Sequence, residues 1–276
     1  MREMDVLICA AGEDVNYVMD LTIRSILKNF EPLNNIFIVT SNVQAVNELV
    51  KRIGLISIVN VLDDSDVLSV REMKLGGWIK QQIIKLKADQ ICSTENICII
   101  GSDAVLLKKV LYEDLIENNQ PIIYFNRNSY PSLHLEYERC RLENIAKILD
   151  IKPKRTYLLG DFIMELMIFN STYLKNLRVY LNSLYGKDGL AEIVPSNPKT
   201  LKEKLLFGEW SLYCMYVLDV LAVQVPIRMS TEKYMMHIHS KNYYKRFSYD
   251  AKIVHFVAKD LDVDDIRKKV ENYIRE

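Results

Sequence analysis

The sequence predicts an α/β fold, a mixed but mainly parallel sheet flanked by helices. Short apolar runs alternate with amphipathic stretches through the first quarter of the chain, a β-α-β-α-β opening that a parallel sheet with crossover helices accounts for. Each apolar run ends in small or polar residues. One of them, Asn96-Ile97-Cys98-Ile99-Ile100-Gly101-Ser102-Asp103, delivers a carboxylate at its C-terminal end, where open α/β sheets bind their ligands.

Taken in order, Val6 to Ala11 reads as a buried strand ending at Gly12, and Asn16 to Phe30 as a helix with apolar residues at Val18, Leu21, Ile26 and Leu27. Strands follow at Ile36–Thr40 and Ile56–Leu62, with a helix from Val43 to Ile53 between them that stops at Gly54. Gly76 to Cys92 is expected as one helix feeding the strand that ends at Asp103. A strand at Pro121–Phe125, a helix at Leu133–Leu149 and a strand at Phe162–Phe169, interrupted by Glu165, come next. Ser171 to Tyr185 is a helix closed by Gly186, and Lys187–Thr200, with Gly189, Pro195 and Pro198, reads as a surface loop or lid. A helix at Gly208–Leu221, a strand at Ile253–Val257 and a terminal helix complete the chain. We expect a single domain over 1–276, with a ligand-binding half at 1–125 and an opposing half at 126–276.

Composition narrows the function. Lys plus Arg and Asp plus Glu number 36 each, so the basic excess of a nucleic-acid binder is absent. The five cysteines are unpaired in C-x-x-C terms and odd in number, which argues against a disulfide framework or zinc site and fits a reducing, cytoplasmic location. Met1-Arg2-Glu3-Met4-Asp5 places acids ahead of the first apolar run, unlike a signal peptide, and no apolar stretch reaches the roughly 18 residues of a membrane span. Peripheral contact with a membrane stays open.

Gly76-Gly77-Trp78-Ile79-Lys80-Gln81-Gln82-Ile83-Ile84-Lys85-Leu86 places Ile79, Ile83 and Leu86 on a stripe to be buried, and Trp78, Gln82 and Lys85 on the stripe beside it. Amides and an amine bordering a buried stripe need partners, so this face is expected to meet a ligand; a solvated polar face anchored by Trp78 is the bland alternative. Asp103 has a bland alternative too, as a strand-end cap.

Together these segments resemble a bacterial glycosyltransferase-like family of GT-A fold, which is Rossmann-like. The resemblance rests on Gly-Trp-x-x-Gln-Gln-x-x-Lys-Leu, on the strand ending at Asp103, on His134 with Leu149-Asp150-Ile151, and on Phe207-Gly208-Glu209-Trp210-Ser211-Leu212-Tyr213. It implies transfer of a sugar from a nucleotide-sugar donor to a hydroxyl on a glycan or lipid-linked acceptor, as in bacterial surface polysaccharide or lipopolysaccharide synthesis. Asp103 then stands at the second acid of an Asp-x-Asp motif, the direct ligand of Mn²⁺ or Mg²⁺, while Gly101 replaces the first. Weaker metal affinity is expected, or help from Ser102 and water, and Gly101→Asp is expected to preserve or strengthen binding.

A further ligand is expected from His255, in a His-Phe-x-x-Lys stretch resembling glycogenin-like transferases, whose Lys259 would meet phosphate; the alternating pair His237 and His239 competes. The resemblance places Gln82 and Lys85 near the donor. The strand exits Ala11-Gly12 and Ser41-Asn42 would border nucleobase and ribose, and His134 would touch donor or acceptor. Glu209 is the candidate base, with Tyr213, Tyr216 and Trp210 suited to stacking on a pyranose and Asp161 as its rival. The basic aromatic stretch 241–247 suits phosphate or an anionic surface. A nucleotidyltransferase is disfavoured because 10–14 lacks a basic residue; a binding module that lost activity is favoured only by Gly101.

Overall fold

The structure is a computed structural model that describes the chain apart from residues 1–2, 12–17, 56, 126–131, 157–159, 161, 163, 196–202, 204–205, 232–233, 239–249, 257–261 and 276, and gives the backbone alone at 132–137, 237–238, 272 and 275. Its strands are β1 (Met4–Ala10), β2 (Leu33–Thr40), β3 (Val59–Asp63), β4 (Asn96–Ile100), β5 (Ala104–Leu106), β6 (Ile116–Glu117), β7 (Gln120–Pro121), β8 (Ile123–Phe125), β9 (Leu166–Asn170), β10 (Ile227–Met229), β11 (Met235–Ile238) and β12 (Ile253–Phe256).

The central sheet has the order β3-β2-β1-β4-β9. Its first four strands run parallel and β9 runs antiparallel to β4. The mixed, mainly parallel sheet is therefore as the alternation of segments predicts. Every residue of β1 and β4 is buried, which is why both read as near-continuous apolar runs and not as alternating ones. Helices Met19–Asn29, Val43–Arg52 and Gly77–Leu86 fill the crossovers. The second of these is capped by Asn42, whose side chain accepts from the Ala45 amide at 3.2 Å.

Beyond Asp103 the chain leaves the central sheet. β5 pairs antiparallel with β12, and β12 pairs parallel with β11, forming a second, three-stranded sheet. A separate apolar cluster under it includes Val18, Val105, Val254, Phe256, Ile266 and Val270. The terminal helix Val263–Arg275 is tied to helix Met19–Asn29 by a two-pronged pair, Arg267 to Asp20 at 2.5 and 2.6 Å.

Several boundaries differ from the expected ones. The helix expected over Gly76–Cys92 ends at Leu86 and a 3₁₀ turn, Ala88–Gln90, completes the approach to β4. The expected strand at Pro121–Phe125 splits between a tight hairpin, β6–β7, and β8, which pairs with β10. Helix Glu209–Met215 gives way to a π-helical turn at Tyr216–Val220. Within the expected loop 187–200, Gly189–Ile193 is helical; a Cβ on Gly189 would stand 2.8 Å from the Leu181 carbonyl, so only glycine permits this close approach. Among the described residues no helix is long and apolar enough to cross a membrane.

At the end of the sheet opposite Asp103, Asp5 is fully buried at the start of β1. Its carboxylate accepts from the Ser93 amide at 2.7 Å, the Ser93 hydroxyl at 3.0 Å, the Thr94 amide at 3.2 Å and the Asn34 side chain at 2.8 Å. Asp5→Ala leaves these donors unpaired and is expected to lower unfolding stability by about 3 kcal/mol in a urea titration; a change under about 1 kcal/mol would contradict this network. Burial shields Cys9, Cys92, Cys98 and Cys214, with Cys140 less covered, and pushes the Cys9 thiol up to about 12. A thiol titration at pH 8 should accordingly find Cys140 alone reactive in the native protein, and the other four only after denaturation; rapid native labelling of Cys9 contradicts the packing.

Candidate active site

The turn after β4 is held from both sides by main-chain bonds. The Gly101 amide donates to the Glu165 carbonyl at 3.0 Å, extending the β4–β9 ladder by one residue. The Asp103 carbonyl accepts from the Phe256 amide at 3.1 Å, which seats it beside β12. The Thr22 hydroxyl donates to the Ser102 carbonyl at 2.9 Å and fixes the turn from below.

Three side chains from three segments meet there. The Nε2 of His255 lies 3.1 Å from Asp103 Oδ1, and its Nδ1 lies 3.4 Å from Glu165 Oε1. Ligand atoms of all three fall within 4.8 Å of one another. Burial alone would lower the His255 pKa, but the carboxylates of Glu165 and Asp103 outweigh it and push it up to about 9. Burial, opposed by His255, raises the Glu165 carboxyl, and the nearby Asp103 charge adds to that rise. The arrangement draws positive charge into the space between two carboxylates, and a donor set of two carboxylates and one imidazole fits a divalent cation.

Beside this cluster, Lys85 donates to Glu209 Oε1 at 2.6 Å and sits 4.7 Å above the Trp210 ring. Burial opposes its charge, yet Glu209, Glu165 and Cys9 hold the Lys85 ammonium well above the usual lysine range. The side-chain oxygen of Gln82 accepts from the Glu209 amide at 3.3 Å, while its amide nitrogen is buried and has no partner among the described residues. Thus the stripe that begins at Trp78 does turn its polar groups to the site: Gln82 and Lys85 clamp the first turn of helix Glu209–Met215, and Trp78 stands 39% exposed at the helix start.

The other expected residues fare differently. Ala11 is half-buried at the exit of β1, and Ser41 and Asn42 are exposed at the exit of β2, where the Asn42 side chain is occupied as a cap. Ser102 is buried. His134 lies in helix Ser132–Ile148 and His237 in β11, in register with His255, but neither side chain is among the described ones. Gly12, Asp161, His239, Lys259 and the stretch 241–247 lie outside the described residues.

One expectation is overturned. Trp210, Tyr213 and Tyr216 do not offer faces to a sugar: each is at most 3% exposed, and Tyr213 stacks on Phe169 at 4.2 Å while its hydroxyl accepts from the Asn170 amide. At position 101 a Cβ would stand 2.4 Å from Glu165 Oε2, the far end of a flexible side chain, so an aspartate there would have to displace that carboxylate. Glu165 itself was visible in the sequence only as an acid breaking an apolar run, which in a buried strand signals a charge with a purpose.

A comparison with characterised protein sequences gives no significant match. Among solved structures, the chain is similar to mouse xyloside xylosyltransferase 1 in its apo form, with a TM-score of 0.52 and 12% identity over 94% of this chain and 99% of that one. It is also similar to an active-site variant of LgtC, with a TM-score of 0.55 and 8% identity over 98% and 96% of the two chains. The galactosyltransferase LgtC in complex with donor and acceptor sugar analogues gives 0.51 and 9% identity over 99% and 94%. The mixed α/β architecture, with its mainly parallel sheet between helices, is thus the GT-A architecture of these glycosyltransferases. Residues 9–274 match the description "Family of unknown function (DUF6492)", and a match of that span makes this chain a member of that family.

Proposed function

We propose that this chain is a glycosyltransferase, moving a sugar from a nucleotide-sugar donor to a hydroxyl of a glycan or lipid-linked acceptor. The observation that carries the reading is the meeting of Asp103, Glu165 and His255 at the carboxyl end of β4, within an architecture shared with sugar transferases. Asp103 and His255 would hold a divalent cation. Such an ion, when bound, neutralises charge that develops on the departing nucleoside diphosphate. Bacterial surface polysaccharide synthesis is the setting that the sequence resemblance favours.

In this reading the half at 1–125 forms the donor side. Lys85 is the fixed cation beside the ion site, and its ammonium would face the donor phosphates. Gln82 brings a buried amide with hydrogen-bonding capacity to spare. Trp78, exposed two turns before Lys85 on the same stripe, offers a ring at the rim for the sugar or acceptor. Glu209 belongs to the half at 126–276 and is engaged by Lys85, so its first role is to position that cation. Asp161 then stands as the acceptor-side base candidate.

Thermal melting against a panel of nucleoside diphosphates and nucleotide-sugars with Mn²⁺ tests the reading. A true donor should raise Tm by about 2–4 °C for each kcal/mol of binding stabilisation. Asp103→Asn should abolish the Mn²⁺-dependent part of that shift while keeping the unliganded melt. A variant that binds donor and Mn²⁺ as the parent does would remove Asp103 from the site.

Glu209→Gln separates positioning from proton transfer. A cation released from its holder is expected to cost about 10²-fold in kcat, with the acidic limb of the pH–rate profile retained. Loss of that limb together with the rate would instead make Glu209 the general base. Unchanged kcat would reduce it to an acid favoured by the helix start.

A further inference from the structure

The acid-x-acid pattern at the end of β4 lacks its first carboxylate, and the structure accounts for where that charge has gone. Ile100 pairs with Leu166 across the β4–β9 ladder, and the Gly101 amide donates to the Glu165 carbonyl at 3.0 Å, so Gly101 and Glu165 are direct cross-strand partners. Directly opposed residues in an antiparallel pair project from the same face. The Glu165 carboxylate occupies the space that a side chain at position 101 would take. A Cβ on Gly101 would lie 2.4 Å from Glu165 Oε2 and 3.1 Å from Asp103 Oδ1. The backbone of Gly101 is not in the left-handed region, so no turn requires glycine at this position; what glycine leaves open is the space that the Glu165 carboxylate fills.

We infer that Glu165 is a relocated metal ligand: the carboxylate absent from position 101 is supplied by the adjacent strand, and a Mn²⁺-like divalent cation is held by Asp103, Glu165 and His255. The pattern has been rewired across a ladder, with Gly101 kept small to admit the longer side chain. Glutamate has the reach for this, since strand neighbours are about 4.8 Å apart. The imidazole between the two acids excludes a mere cluster of surface carboxylates: its two ring nitrogens lie 3.1 and 3.4 Å from Asp103 and Glu165. The competing arrangement is a permanent ion pair in which Glu165 serves His255 alone.

The inference deepens the proposed reading and rests on it only for what the ion meets later; ion uptake is measured without nucleotide. Mn²⁺ is titrated into the full chain and free ion is read by electron paramagnetic resonance, with circular dichroism confirming each variant's fold. The parent should take up Mn²⁺, and Glu165→Gln, of equal size, should weaken it by more than about 100-fold, beyond the 10–100-fold that loss of an outer-shell partner of a metal ligand costs. Gly101→Asp should weaken uptake comparably, because the added side chain takes the space of the Glu165 carboxylate. Gly101→Asp combined with Glu165→Ala should recover most of the parent affinity, since the carboxylate is returned to β4. Glu165→Gln binding as tightly as the parent, with uptake lost in Asp103→Asn, overturns the relocation and leaves the ion site with Asp103 and His255. A double variant no better than Gly101→Asp overturns it equally. No uptake by the parent overturns the ion site itself, while the nucleotide-sugar reading is still judged by its own melting shifts.

Discussion

Two main-chain hydrogen bonds at the end of β4 set the geometry on which the site depends. One runs from the Gly101 amide to the Glu165 carbonyl and the other from the Phe256 amide to the Asp103 carbonyl. Each contributes about 1 kcal/mol to stability, a small amount in a chain this size. Their effect is directional: they fix three strands of two sheets against one turn, so that side chains from sequence positions 103, 165 and 255 arrive at one place. Sites carried on strand ends are held more precisely than sites on free loops.

The electrostatics follow from that convergence. Asp103 and Glu165 face His255, and Lys85 answers Glu209 and Glu165 together. Burying such charges costs several kcal/mol per ion, and paired burial is a weak route to stability. In the proposed reading the cluster is pre-organisation, with charge arranged around the space where an anionic leaving group would develop. By contrast, Asp5 at the opposite end of the sheet is saturated by four donors and ties β1 to the entry of β4. One end of the sheet is tied together by this network and the other holds the candidate site.

How much of this is legible in the sequence depends on the range of the interactions. β1 to β4 are bounded by local signals, apolar runs closed by Gly, Ser and Asn, and these are close to the observed strands. Asp103 and His255 stand out as candidates because each sits at or near a strand end. Glu165 does not, since its place beside them arises from register with Gly101 across a ladder joining residues 64 positions apart. The aromatic residues after Glu209 misled for a related reason: a helix stripe shows periodicity but not which side the core lies on, and Phe169 claims Tyr213 and Trp210. The short strands β5, β8 and β10 depend on partners supplied by distant segments, and local pattern carries little of that.

The most direct test of the account is a crystal structure of the protein grown with Mn²⁺ and a nucleoside diphosphate, with anomalous scattering used to locate the ion. An anomalous peak is expected between Asp103 and His255 at the carboxyl end of β4, with the diphosphate reaching it from the side of Lys85. A peak elsewhere, or a nucleotide seated away from the end of β4, would contradict it.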